Sequence, residues 1–170
     1  MSSHVRACEL PAEALLARYR RDGGSYTDCY ATRVPAPVAH AAFVQAFYTS
    51  WLFKLERRVL AWRSLPSTDA EAAELASGHR DTFAAWRVEA REPGQLLLCD
   101  LSGRTRSWLM THADGTLYFG SAVVPAPDRS AGASALGFPY RQLLGFHRLY
   151  SRALLRAAAA RVEAASPRLQ

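Results

Sequence analysis

A chain of 170 residues with 49% apolar and 21% charged side chains reads as one globular domain with a substantial core. No run approaches the roughly 18–20 apolar residues of a membrane span, and Met1–Leu10 holds no apolar stretch of signal-peptide type, so a cytoplasmic setting is the expectation. The net charge of +6 would suit an acidic partner, but Lys54 is the only lysine. All-Arg basicity with abundant Ala is what a GC-rich bacterial genome produces, which weakens the case for nucleic acid.

Residues 1–24 are expected to form an N-terminal helical extension and 25–165 the core of a single domain spanning 1–170. Glu9–Arg21 has Pro11 at an early position and Leu15, Leu16 and Tyr19 on one side, which predicts a short helix ended by Asp22-Gly23-Gly24. Ser25–Val34 alternates, with Tyr26, Asp28, Tyr30, Thr32 and Val34 on one face, and reads as a strand stopped by Pro35 and Pro37. From Val38 to Trp62 the period becomes helical. Phe43, Phe47, Trp51, Leu55 and Val59 make an i, i+4 stripe, with a break into two helices expected near Thr49-Ser50. Thr68-Asp69-Ala70-Glu71 has the form of a capping box and opens a short helix ending near Ser77-Gly78.

Thr82–Val124 reads as a four-stranded antiparallel meander. Its runs Phe83–Glu92, Gln95–Leu101, Arg104–Ala113 and Thr116–Val124 are separated by Pro93-Gly94, Ser102-Gly103 and Asp114-Gly115. With two-residue hairpins throughout, Trp86, Val88, Ala90, Leu97, Cys99, Leu101, Trp108, Met110, Leu117, Phe119 and Val123 share a core face. Arg104, Arg106, His112 and Ser121 are its polar members. The outer face then pairs Arg87 with Asp100 and carries an apolar patch of Leu96, Leu98, Leu109 and Tyr118, through which a homodimer would form. A buried Arg106 requires a carboxylate partner, a ligand, or a path to the sheet rim. Pro125–Gly137 reads as a mobile connection. Pro139–Ala165 reads as a long helix with Leu143, Phe146, Tyr150, Leu154, Ala158 and Val162 on one face and Arg141, Arg148, Arg152 and Arg156 on another.

No Walker loop, GxGxxG, HExxH or GxSxG is present. The five histidines are scattered and Cys8, Cys29 and Cys99 form no metal pattern, so neither metal nor cofactor is expected.

The order strand, helical pair, antiparallel meander and long C-terminal helix resembles the helix-grip proteins, the START and birch-pollen-allergen (SRPBCC) superfamily, over Tyr26–Ala165. The segment Phe43–Ser50 with Leu52–Arg57 is also similar to small bacterial proteins of no established activity. The resemblance implies an α+β fold in which a curved antiparallel sheet of about seven strands, five of them legible here, packs on the last helix around a cavity. A cystatin-like cone with its helices first is the rival architecture.

Three functions follow as expectations. The first is a binding module holding a small apolar or amphipathic ligand between sheet and helix, at Arg106, Trp108, Met110, His112, His147 and Tyr150. The second is a lyase, cyclase or hydrolase on the same scaffold, using His112 or Tyr150 as proton carrier. The third is a basic interaction protein using the arginine face, though no aromatic residues interleave for base stacking. The structural alternative is that Trp108 and Tyr150 are core aromatics with one polar atom satisfied and that His112 merely ends a hairpin.

Overall fold

The computed structural model describes residues 4–21, 24–62, 66–124 and 138–165, apart from the side chains at 56, 59–62 and 138–146. The expected connection at 125–137 and the face positions Val59, Arg141, Leu143 and Phe146 therefore lie outside the described residues.

The architecture is α+β. Among the described residues, β1 (Arg6–Ala7), α1 (Ala17–Arg21), β2 (Tyr26–Arg33), α2 (His40–Tyr48), α3 (Trp51–Trp62) and α4 (Asp69–Ser77) precede a meander. The meander comprises β3 (Thr82–Phe83), β4 (Trp86–Glu92), β5 (Gln95–Asp100), β6 (Thr105–Thr111) and β7 (Thr116–Val123), and α5 (Phe138–Ala165) follows. The strands form one antiparallel sheet in the order β1-β2-β7-β6-β5-β4-β3. β1 and β3, which the sequence pattern did not disclose, are two-residue edge strands, short enough to offer little template for further pairing.

Several elements form as their local chemistry dictates. The helical region breaks at Thr49-Ser50, as expected. α4 carries both bonds of its capping box: Glu71 N–H donates to Thr68 Oγ1 at 3.1 Å and Thr68 N–H donates to Glu71 Oε2 at 2.8 Å. Gly78 ends it at φ 85°, in the left-handed region. The predicted helix Glu9–Arg21 shrinks to Ala17–Arg21, with turns before it.

The two faces of the meander differ from expectation for two local reasons. Glu89 is the extra residue of a β-bulge, so Val88 pairs with Leu98 while Ala90 pairs with Leu97. The last hairpin has a three-residue loop, 113–115, closed by His112 N–H donating to the Thr116 carbonyl at 2.9 Å, with Gly115 at φ 85°. Each event shifts the register by one and moves the residues beyond it to the opposite face. The loop after β5 is four residues rather than two, which preserves parity, and Cys99 still pairs with Arg106. Arg87 consequently lies opposite Cys99, and Trp86 opposite Asp100.

Both faces are covered. Trp86, Val88, Leu96, Leu98, Leu109, Leu117 and Phe119 lie beneath the helices, with Phe43 and Phe47 of α2 and Leu154, Leu155 and Ala158 of α5. Leu97, Trp108, Met110, Ala122 and Cys29 face the other way, beneath Ala14, Leu15 and Leu16 of the N-terminal segment, with Leu10, Tyr19 and Tyr118 packed against them. Leu96, Leu98 and Leu109 are at most 1% exposed and form no outer patch, so they are not available to a dimer contact. Leu101 stands in a turn and is exposed. Trp51 and Leu55 also leave the expected stripe for solvent, because the break at Thr49-Ser50 resets the helical phase and α3 buries Phe53 and Arg57 instead.

Candidate functional site

A cavity of about 210 Å³ lies between the helix-facing side of the sheet and the α3 and α5 helices. Phe47, Phe53, Phe119 and Leu154 give it apolar walls, and Trp86, Tyr150, Ser107, Ser121, His147 and Ser151 are among the others that line it. α5 supplies His147, Tyr150, Ser151 and Leu154, whose i, i+3, i+4 and i+7 spacing puts them on one helical face. Two residues that line the cavity from opposite sides, Trp86 of β4 and Ser151 of α5, each carry a buried polar atom, Nε1 and Oγ, with no hydrogen-bond partner among the described residues. Buried donors are nearly always satisfied, so two in residues around one cavity make it the strongest candidate site.

A proton-linked chain borders the same cavity. Ser121 Oγ–H and Ser121 N–H both donate to Asp28 Oδ1, at 2.6 and 3.1 Å. Tyr30 O–H donates to Asp28 Oδ2 at 3.3 Å. His147 Nε2 stands 2.7 Å from Ser121 Oγ and 3.6 Å from Asp28 Oδ2. With the hydroxyl proton committed to the carboxylate, Ser121 Oγ is left to accept, and His147 Nε2–H donates to it. Ser121 is thus held as a bridge between His147 and Asp28, its hydroxyl proton turned to the carboxylate and away from the imidazole. Burial, with the Asp28 carboxylate beside it, pushes the Tyr30 phenol well up from its ordinary value. Tyr48 Oη and Ser107 Oγ share a hydrogen bond of 3.2 Å.

The structure brings together only part of the set expected from sequence. His147 and Tyr150 line the cavity. Arg106 borders it, but its guanidinium is engaged on the opposite face. There Nε donates to Glu89 Oε2 at 2.5 Å and to Tyr19 Oη at 2.7 Å, with the guanidinium 4.8 Å from the Tyr19 ring centroid. Trp108 and Met110 are also on that face, and Trp108 Nε1–H donates to Gln95 Oε1 at 2.9 Å. His112 is an exposed hairpin-end residue 2.9 Å from Asp114. It stands in solvent, away from the cavity, which removes the reading of His112 as proton carrier. The cavity residues that the expected site set left out include Trp86, Ser107, Ser121 and Ser151, and Asp28 joins them from behind through Ser121. Asp28 stood with Tyr26 and Tyr30 on one face of the predicted strand, and that alternation was the available signal.

On the arginine face, Arg148 Nε–H donates to Tyr26 Oη at 3.3 Å, and the Arg152 guanidinium lies 5.5 Å from the Tyr30 ring centroid. Both therefore pack against β2, while Arg156 is exposed. A wider groove of about 430 Å³ separates α2 from the end of α5, lined by Pro37, Ala42, Gln45 and Arg161. It contains none of the orphaned buried polar atoms among the described residues. The described residues include no cluster of three His, Cys, Asp or Glu side chains suited to a metal ion, and no helix long and apolar enough to cross a membrane.

Comparison of the chain with protein-family models, curated proteins and solved structures returns no match.

Proposed function

We propose that the protein binds a small neutral molecule between its sheet and C-terminal helix, in the manner of the helix-grip proteins its element order resembles. The observation that carries this reading is the pairing of an apolar cavity with two orphaned donors, Trp86 Nε1 and Ser151 Oγ. A cavity of roughly 150 Å³ takes a benzene ring, so about 210 Å³ suits a single-ring or comparably compact ligand. The Arg106 charge is met by Glu89 on the far face, which leaves no described arginine or lysine side chain to receive a carboxylate there. The ligand is thus a neutral ring compound with a carbonyl, ether or hydroxyl oxygen for the two donors.

The test is native mass spectrometry of freshly purified protein, together with calorimetric titration of neutral ring ketones and alcohols beside their carboxylate analogues. The neutral compounds bind saturably and the carboxylates do not. Trp86→Phe weakens the neutral ligand by about 3- to 10-fold, the worth of one hydrogen bond. No co-purified ligand and no saturable binding by any neutral compound sinks the reading.

A second reading has its own observation, the Asp28–Ser121–His147 chain at the cavity wall. In an acid–base enzyme on this scaffold, His147 exchanges a proton with the bound ligand while Asp28 and Ser121 hold its ring. His147→Gln then abolishes turnover of a bound compound while its affinity stays within about threefold. Unchanged turnover in that variant removes the enzyme reading and leaves the binding one intact.

A further inference from the structure

The second face of the sheet holds a thiol pair that plays no part in the ligand reading. Register carried on from Arg6↔Ala31 and Ala7↔Tyr30 sets Cys8 opposite Cys29, and Cys8 N–H donates to the Cys29 carbonyl at 3.0 Å. The two sulfur atoms lie 3.4 Å apart. Directly opposed antiparallel residues have Cα atoms roughly 4.5–5.5 Å apart, within the span a disulfide bridges. Cys29 is buried and Cys8 half-buried, and both line a surface cleft of about 220 Å³ with Glu9, Leu10 and Arg20. Cys99, the third thiol, is buried elsewhere on the sheet, with its Sγ–H directed to the Asp100 carbonyl.

We propose that Cys8 and Cys29 are a redox-active pair, a modification site that a small hydroperoxide converts to a disulfide. Cys8 Sγ, the accessible sulfur, attacks the peroxide as thiolate. An S–O bond forms, the O–O bond breaks, and the leaving oxygen departs with a proton as water or alcohol. Cys8 has lost two electrons and is a sulfenic acid. Cys29 Sγ then attacks Cys8 Sγ. The S–S bond forms, the S–O bond breaks, and the leaving hydroxide takes the Cys29 proton as water. Overall, two thiols are oxidised to one disulfide as one hydroperoxide is reduced.

Two further features support the assignment of roles. The contact with Cys29, reinforced by the Arg6 charge, lowers the Cys8 thiol from its ordinary value, while the same contact and burial push Cys29 well up. The second feature is what the loop encloses. Leu10 and Leu15–Tyr19, which cover Leu97 and Trp108, lie between the two cysteines in the chain, so the disulfide staples the cover to β2.

The test treats reduced wild-type protein with stoichiometric hydrogen peroxide, alkylates the remaining thiols and maps the peptides without reduction. The expected result is a mass loss of about 2 Da, two hydrogens, a single Cys8–Cys29 cross-linked peptide and an alkylated Cys99. The oxidised protein melts about 5–10 °C higher, as closing a loop of this length implies, and dithiothreitol reverses the rise. Cys8→Ser loses the response, and Cys99→Ser retains it. A Cys8 that accumulates sulfinic acid while Cys29 stays alkylatable overturns the proposal. So does a disulfide formed only between molecules, or one that involves Cys99.

Discussion

Gln95 ties together groups that its own strand cannot reach. Its Oε1 accepts Leu15 N–H and Trp108 Nε1–H, each at 2.9 Å, and its Nε2–H donates to the Glu13 carbonyl at 3.1 Å. Gln95→Leu keeps the volume but strands two buried donors, so stability falls by about 2–4 kcal/mol in urea titrations. Adding Trp108→Phe removes one stranded donor, and the double variant is therefore less destabilised than the sum of the single ones. His40 acts through charge. Burial, with Arg91 nearby, pulls its imidazole down to about 4, and its Nε2 has no partner among the described residues. The unfolded chain binds a proton near pH 6.5 that the folded protein refuses until about pH 4. Stability therefore falls as pH drops through that window, by about 3 kcal/mol at most. The depressed carboxyls of Asp69 and Asp100 release their stabilisation only below the ordinary carboxylate range, so they leave the upper part of the window to His40. In His40→Gln, the midpoint denaturant concentration becomes nearly flat between pH 6.5 and 5; an unchanged slope refutes the assignment.

At the scale of elements, what local chemistry dictates was legible. Thr68 and Glu71 announce α4, alternation announces β2, and Gly94, Gly103 and Gly115 stand in turns at φ between 73° and 85°. What escaped were parity and cover. Ala113-Asp114-Gly115 closes as a three-residue loop where Asp-Gly suggests two, and nothing in the strand pattern marks Glu89 as a bulge. Those two shifts regrouped Leu117, Phe119, Trp86 and Val88 with Leu96, Leu98 and Leu109, and separated His147 and Tyr150 from Trp108 and Met110. The outer leucines were apolar because helices cover them, as in a sheet buried on both faces, where strands read as continuous apolar runs rather than alternating ones. The N-terminal segment is the cover on the other side. Gly120 marks the contact: a Cβ there would stand 2.8 Å from Leu16 Cδ2 and 3.0 Å from Trp108 Cε3. Removing residues 1–21 uncovers Leu97, Trp108 and Met110. The truncated chain therefore binds an apolar dye, shows red-shifted tryptophan emission and self-associates. A monomeric, dye-silent truncation would refute the assignment of this segment as core.

At the scale of the molecule, the two faces do different work. The N-terminal side is closed by Gln95, by Leu16 against Gly120, and by Arg106 against Glu89 and Tyr19. The helical side keeps a void of about 210 Å³ and two unsatisfied donors. Such a void and such donors lower stability, so their placement around one cavity separates a binding role from a structural one by the sign of a single substitution. Ser151 is 0% exposed, and its Oγ has no partner among the described residues. Ser151→Ala deletes an unsatisfied hydroxyl and puts a better helix former inside α5, so the ligand-free protein gains about 0.5–2 kcal/mol. If Ser151 Oγ is a ligand donor, the same variant loses about 3- to 10-fold in affinity for the neutral ring compound. Stability and affinity then move in opposite directions, as they do where a fold gives up stability for function. A variant that is both less stable and unaltered in affinity would make Ser151 a packing residue. Paired chemical denaturation and calorimetry of the one protein decide between them.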